Sequence, residues 1–144
     1  MSTSKKIILP RVKFQYAAKF LCISAIPGTS SAHAFLLPGN YQTVINIHNP
    51  GKTLVKYRRK LANAGGITEY KWTELKPDGV ETITCENMNK IFDTVFIHGF
   101  EGFLVIESPV SLDVTAVYMA GKEVVNSIDM EGIVTGKQIG RAHV

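Results

Sequence analysis

From Val12 to Ser24 an apolar or small side chain occupies every second position: Val12, Phe14, Tyr16, Ala18, Phe20 and Cys22 fall on one face, and Lys13, Gln15, Ala17 and Lys19 on the other. A repeat of two sustained over this length marks a half-buried β-strand, because successive side chains of a strand point to opposite faces. The same repeat returns twice. Tyr41 to Asn49 sets Thr43, Ile45 and Ile47 one way and Gln42, Val44, Asn46 and His48 the other. Thr53 to Leu61 sets Val55, Tyr57 and Leu61 inward and Lys56, Arg58 and Lys60 outward.

Turn chemistry separates these runs. Asn49-Pro50-Gly51-Lys52 predicts a hairpin turn, since proline presets φ and glycine tolerates positive φ. Lys76-Pro77-Asp78-Gly79 predicts a second turn between strands at 68–75 and 79–85. Residues 25–40 read as a loop broken by Pro27-Gly28 and Pro38-Gly39-Asn40. Its Phe35, Leu36 and Leu37 are apolar enough to be expected over a sheet edge or at a subunit contact. The one helical pattern is 86–92, with Met88, Ile91 and Phe92 on one face. Val95 to His98, Glu101 to Ser108, Leu112 to Ala120 and Glu123 to Met130 complete the expected strands. About eight short strands with regular turns and one short helix predict an all-β fold, an antiparallel β-sandwich.

A length of 144 residues suits one domain, and 45% hydrophobic with 19% charged residues predicts a packed core rather than a disordered chain. The longest apolar runs, such as Phe103 to Ile106, fall far short of a transmembrane helix. The formal charge of +4 belongs to the ends: residues 1–13 carry Lys5, Lys6, Arg11 and Lys13 without an acid, and Arg141 lies in the final segment, which leaves the stretch between near neutral. The basic balance is therefore poor support for a nucleic-acid surface. Residues 139–144, Ile-Gly-Arg-Ala-His-Val, back-translate as the start of a common sequencing adapter and are expected to be read-through; a genuine polar tail is the alternative. The expected organisation is a flexible basic arm over 1–11, the domain over 12–131, a truncated tail over 132–138 and the adapter-derived end over 139–144.

Lys5 and Lys6 precede only Ile7-Ile8-Leu9 before Pro10, too short for the apolar core of a secretory signal, so the default location is cytoplasmic. Cys22 and Cys85 are the only cysteines; two reduced, buried thiols are expected, with a single disulfide between them as the alternative.

Candidate sites are few. Asn46, His48 and Asn49 gather polar groups at a strand end, where an imidazole can meet a ligand, although asparagines there more commonly bond turn backbone. His98 with Glu101 and Glu107 offers nitrogen and oxygen donors but lacks the paired spacing of a metal site, so no metal is expected. Lys56, Arg58 and Lys60 form a basic strand face with Tyr57 on the opposite one. That weakens a base-stacking role and favours a solvated or edge-protecting strand, and nucleic acid is an unexpected partner. Ser108 lacks a nucleophile elbow, no glycine-rich phosphate loop occurs, and no cofactor is expected.

The strings Pro38-Gly39-Asn40-Tyr41-Gln42-Thr43-Val44-Ile45-Asn46-Ile47-His48-Asn49-Pro50 and Glu101-Gly102-Phe103-Leu104-Val105-Ile106-Glu107-Ser108-Pro109, with Leu112-Asp113-Val114-Thr115-Ala116-Val117-Tyr118, resemble a group of small uncharacterised bacterial proteins. In the pattern of an Asn-containing turn leading into a long hairpin, and a late proline turn joining two apolar strands, the chain is also similar to the sensory rhodopsin transducer family of small β-sandwich proteins. That resemblance implies a non-enzymatic, oligomeric sandwich. The expected function is a binding or assembly module whose partner is itself, with another protein as the alternative partner and no membrane insertion. A ligand-binding or hydrolytic site near His48 and His98, or weak nucleic-acid binding through the basic arm and Lys56 to Lys60, are the alternatives.

Overall fold

A computed structural model describes residues 11–25, 39–96, 99–121, 127–133 and 137–138. The elements in chain order are β1 (Phe14–Ala25), β2 (Gly39–His48), β3 (Val55–Asn63), β4 (Gly66–Ile67), β5 (Lys71–Leu75), β6 (Val80–Ile83), α1 (Met88–Phe92), β7 (Phe100–Ser108), β8 (Asp113–Gly121), β9 (Ser127–Ile133) and β10 (Lys137–Gln138). Every strand pairing is antiparallel. The strands form one hydrogen-bonded sheet in the order β4-β3-β7-β1-β2-β8-β9, with β5 also on β3, β6 on β2 and β10 on β1. Among the described residues the fold is all-β with one short helix, as the periodicity predicts.

The junction is β1. It pairs with β7 from Phe14 to Cys22 and, at its far end, with β2 from Cys22 to Ala25. Beyond that point β2 exchanges partners, since the same edge that meets β1 near Gly39–Gln42 takes β6 along Ile45–His48, while β8 runs along the other edge. Thr43 sits in the gap between the two partners. It is fully buried, and its Oγ1 accepts the Leu21 backbone N–H at 2.9 Å, so the donor has a partner where the ladder is interrupted.

Both strand groups send side chains into one core: Tyr16, Ala18 and Phe20 from β1, Val55, Tyr57 and Leu61 from β3, Leu104 and Ile106 from β7, and Ile45, Ile47, Ile83, Val114 and Ala116 from β2, β6 and β8. Burial of each large apolar side chain contributes about 1.5–3 kcal/mol. A one-residue slip of β3 would exchange Val55, Tyr57 and Leu61 for Lys56, Arg58 and Lys60, so the pattern holds the register. The same alternation puts Arg59 inward, where it is 6% exposed. Its charge is met by Glu81 of β6, with Nε to Oε1 at 3.0 Å and Nη2 to Oε2 at 2.5 Å, and Nη1 donates to the Lys71 carbonyl at 2.8 Å. Tyr57 Oη donates to the same Glu81 carboxylate at 2.6 Å. Burial and that carboxylate raise the phenol's pKa well beyond its ordinary value.

Several local expectations shift. The helix begins at Met88 rather than 86, because Thr84 and Asn87 occupy each other's backbone and side-chain groups in a turn: Thr84 N donates to Asn87 Oδ1 at 2.8 Å, and Asn87 N to Thr84 Oγ1 at 3.2 Å. It ends at Asp93, whose backbone is left-handed, while Met88 and Phe92 face the core. Val95 and Phe96 are not in a strand, and a two-residue strand, β4, appears where Gly65-Gly66 read only as a break. The expected thiols are corrected: Cys22 and Cys85 form a disulfide. Their Cα atoms lie 5.7 Å apart, a separation a disulfide spans, because the end of β1 passes the turn that leads into α1. Strand structure also continues past Met130, through Ile133 and again at Lys137–Gln138, where Phe14 and Gln15 pair with it.

Gly102 explains how closely β7 can approach β3. A Cβ there would lie 2.3 Å from the Ala62 carbonyl oxygen and 2.8 Å from the Phe100 ring, so the contact requires a residue without a side chain.

Candidate functional site

The polar strand end singled out by the sequence divides into two unlike parts. Asn49 is fully buried and belongs to the scaffold. Its Nδ2 donates toward the carbonyls of Thr53 at 2.9 Å, Leu75 at 3.0 Å and Lys76 at 3.2 Å, and its Oδ1 accepts the Gly51 N–H at 2.9 Å. Its backbone N–H donates to the Gly79 carbonyl and its carbonyl accepts from Asp78 N–H. One side chain thereby ties the β2–β3 turn to the β5–β6 turn.

Asn46 and His48 lie on the opposite, outward face of β2. Asn46 Oδ1 accepts from Thr82 Oγ1 of β6 at 2.8 Å. His48 stands between two carboxylates, with Nδ1 2.8 Å from Asp113 Oδ2 and Nε2 3.2 Å from Asp78 Oδ1. Asp113 is its register partner on β8, and Asp78 reaches it from the β5–β6 turn with a backbone φ of 60°. The imidazole pKa is raised, first by the hydrogen bond to Asp113; desolvation opposes that rise, and the hydrogen bond to Asp78 adds to it. With both ring nitrogens engaged, the imidazole presents no free lone pair to a metal or a substrate proton while the carboxylates stay in place. Among the described residues, no group of three or more His, Cys, Asp or Glu side chains is placed to hold a metal ion.

The second candidate, Lys56, Arg58 and Lys60, does lie on one outward face, as alternation predicts. The aromatic partners are not Tyr57 but Trp72 of β5 and Tyr70 just before it. The β3–β5 register sets Arg58 opposite Trp72 and Lys56 opposite Glu74. The Arg58 guanidinium lies 4.1 Å from the Tyr70 ring centroid and 5.5 Å from Trp72, Lys60 Nζ lies 4.4 Å from Tyr70, and Lys56 Nζ lies 5.7 Å from Trp72. The face continues across β7 and β1. Arg58 Nε donates to the buried Glu107 carboxylate at 2.8 Å, Gln15 Nε2 donates to the same carboxylate at 3.1 Å, and Lys19 pairs with Glu101 while lying 5.0 Å from the Phe103 ring centroid. Tyr70 is pushed up to about 12 by burial and by neighbouring Glu107. Phe103, 44% exposed, and Ala17 are the open apolar residues in the middle of this surface.

A cleft of about 370 Å³ opens between the β4–β5 connection and the end of α1, lined by Ile67, Thr68, Glu69, Lys71, Asp93 and Thr94 together with Phe92, and it contains none of the candidate site residues of the sequence. The expected interaction patch Phe35, Leu36 and Leu37, the candidate His98, residues 1–10 of the basic arm and residues 139–144 lie outside the described residues. Sequence reasoning missed Asp78, Asp113, Tyr70 and Trp72. Asp78 carried a signal only as the middle of a Pro-Asp-Gly turn, and Tyr70 and Trp72 were legible as outward positions once the hairpin register is drawn. Among the described residues no helix is long and apolar enough to cross a membrane. Compared with protein-family models, curated proteins and solved structures, the chain matches none.

Proposed function

We propose that this chain is a non-enzymatic all-β binding module that associates with itself through the outer face of β5, β3, β7 and β1. The observation that carries the proposal is the composition of that face: the open apolar residues Phe103 and Ala17 are flanked by rings and by charges of both signs, Lys19, Lys56, Arg58 and Lys60 with Glu74, Glu101 and Glu107. A two-fold contact brings the same patch together from both copies, so it needs a surface that complements itself. Mixed charge around an apolar centre supports such a contact. The resemblance to the sensory rhodopsin transducer family points the same way, toward an oligomeric β-protein without a catalytic centre. Sedimentation velocity tests this: the wild-type chain is expected to show concentration-dependent dimer at tens of micromolar, and Phe103→Lys to remain monomeric. A wild-type chain that stays monomeric at high micromolar concentration removes the self-association.

Tyr70 and Trp72 beside three cations favour a second reading, binding of a single-stranded nucleic acid, in which cations meet phosphates and rings meet bases. It is the weaker one, because the rings already carry the Arg58 and Lys60 side chains against them. Binding at two salt concentrations separates the two, since affinity through phosphates falls steeply with salt. A ligand-binding or hydrolytic site at His48 and His98 has less support, with both His48 nitrogens bonded to carboxylates.

The disulfide bears on location. Disulfides persist in oxidising compartments and are uncommon among cytosolic proteins. The pairing of the chain's only two cysteines therefore supports a compartment outside the reducing cytosol, in place of the cytoplasmic location expected from the N-terminal residues.

A further inference from the structure

His48 has no place in the proposed contact face, and on the other side of the sheet both nitrogens of its half-buried ring are engaged. It sits at the end of the central strand of the β6–β2–β8 group, with Val80 of β6 and Asp113 of β8 as its register neighbours. Two carboxylates face its two nitrogens, at 2.8 Å and 3.2 Å. Ionised carboxylates only accept hydrogen bonds, and a neutral imidazole carries one N–H and one lone pair. Both contacts are hydrogen bonds only when the ring carries both protons.

We propose that His48 is a proton-operated latch that fastens the Pro77-Asp78-Gly79 turn to the start of β8. In the protonated state the ring donates to Asp113 and Asp78 together. On deprotonation one carboxylate faces a lone pair, and the cluster gains one negative charge. Asp78 is the partner that lets go, because its contact is the longer one and its side chain is 87% exposed, against 61% for Asp113. Asp78 also holds a left-handed backbone, which costs a residue with a Cβ more than it costs glycine, and the contact with His48 helps retain it. The hydrogen bonds between Asn49 and the turn remain, so the turn pivots about Asn49 rather than leaving the sheet.

The charged groups acting on the ring are Asp113 from β8 and Asp78 from the turn, while β6 places the uncharged Val80 beside it. Both carboxylates favour the charged imidazole, so its pKa in the folded chain lies above the ordinary 6.5. The sign follows. The latch is fully closed below the unfolded value and opens as pH rises through the raised folded value.

The test is an NMR titration of the full chain from about pH 5 to pH 9, across the range in which histidine changes charge. It follows the His48 ring, assigned against His48→Gln, and the backbone amides of Asp78 and Gly79. The expected result is a His48 midpoint above 6.5, amide shifts at Asp78 and Gly79 with that same midpoint, and no such step in His48→Gln. Asp113→Asn is expected to lower the midpoint more than Asp78→Asn does. A midpoint at or below 6.5, or turn amides that stay flat while His48 titrates, overturns the latch. Should His48→Gln not fold, Asp78→Asn decides alone, because an unchanged His48 midpoint in that variant is equally fatal.

Discussion

Reduction of the Cys22–Cys85 bridge is expected to lower the melting temperature by about 15 °C, on a chain-entropy loss of about 4 kcal/mol and about 4 °C per kcal/mol for a domain of this size. The bridge closes a segment with a sequence separation of 63, and a cross-link acts mainly by restricting the unfolded chain, with a contribution that rises with the logarithm of the loop. The closed loop contains β2, β3, β4, β5 and β6, so the unfolded ensemble is constrained across the segment that supplies the core residues from Ile45 to Ile83. The folded state loses little on reduction, since β1 keeps its ladders with β7 and β2 around Cys22. Calorimetry with and without a phosphine reductant measures the change, and Cys22→Ser with Cys85→Ser should match the reduced protein and lose its sensitivity to reductant. Alkylation of the unreduced, denatured protein should label neither cysteine. A fall of less than about 4 °C, equivalent to about 1 kcal/mol, would refute the loop-entropy argument, and two labelled thiols would refute the bridge itself.

Three further substitutions probe the scaffold by equilibrium urea unfolding. Gly102→Ala forces a Cβ against the Ala62 carbonyl and the Phe100 ring and should cost about 1–3 kcal/mol; a neutral result would mean that β7 and β3 separate more easily than their packing implies. Asn49→Ala removes the donor shared by three carbonyls and the acceptor for Gly51 N–H, for an expected loss of about 2–3 kcal/mol. Glu81→Gln leaves the Arg59 guanidinium charged and inward without its counter-charge and should cost about 3 kcal/mol, whereas replacing both by apolar residues should restore part of it.

How far the fold could be read in advance depended on how much of each strand faces the core. β1 as far as Phe20, β2 from Thr43 and β3 alternate because one side of each is buried, and their inward residues are buried as the alternation places them; at the far end of β1, where β2 takes over as partner, the alternation breaks and Ile23 is buried. Where burial ceases to alternate, the pattern loses its information. β7 is buried continuously from Leu104 to Ser108, so its outward members Val105 and Glu107 look like core positions, and Glu107 is in fact held by Arg58. Val95 and Phe96 read as strand by composition but follow the left-handed Asp93 and lie outside any strand, and among the described residues β7 starts at Phe100. The disulfide was undecidable for a different reason. Two cysteines in apolar surroundings suit both buried thiols and a bridge, and the choice turns on a 5.7 Å approach between segments far apart in sequence.

The candidate sites failed to be legible because each is made by register rather than by neighbours in sequence. Tyr57 is adjacent to Lys56 and Arg58 in the chain, and a strand sends adjacent residues to opposite faces. The rings that meet the cations had to come from another strand, and the one that pairs with β3 over Val55–Arg59 is β5. Reading the Thr53–Leu61 and 68–75 strands as an antiparallel pair and setting Arg58 against Trp72 would have found that face from the sequence. His48 is harder. Asp113 meets it through the β2–β8 pairing, across 65 residues of chain, and Asp78 arrives from a turn held in place by the buried Asn49. Asn49 was singled out as a ligand candidate and is instead the fastening that brings Asp78 within reach of His48. Of the polar side chains in the Ile-Asn-Ile-His-Asn-Pro string, the one that is wholly buried thus holds the turn whose carboxylate meets the string's imidazole.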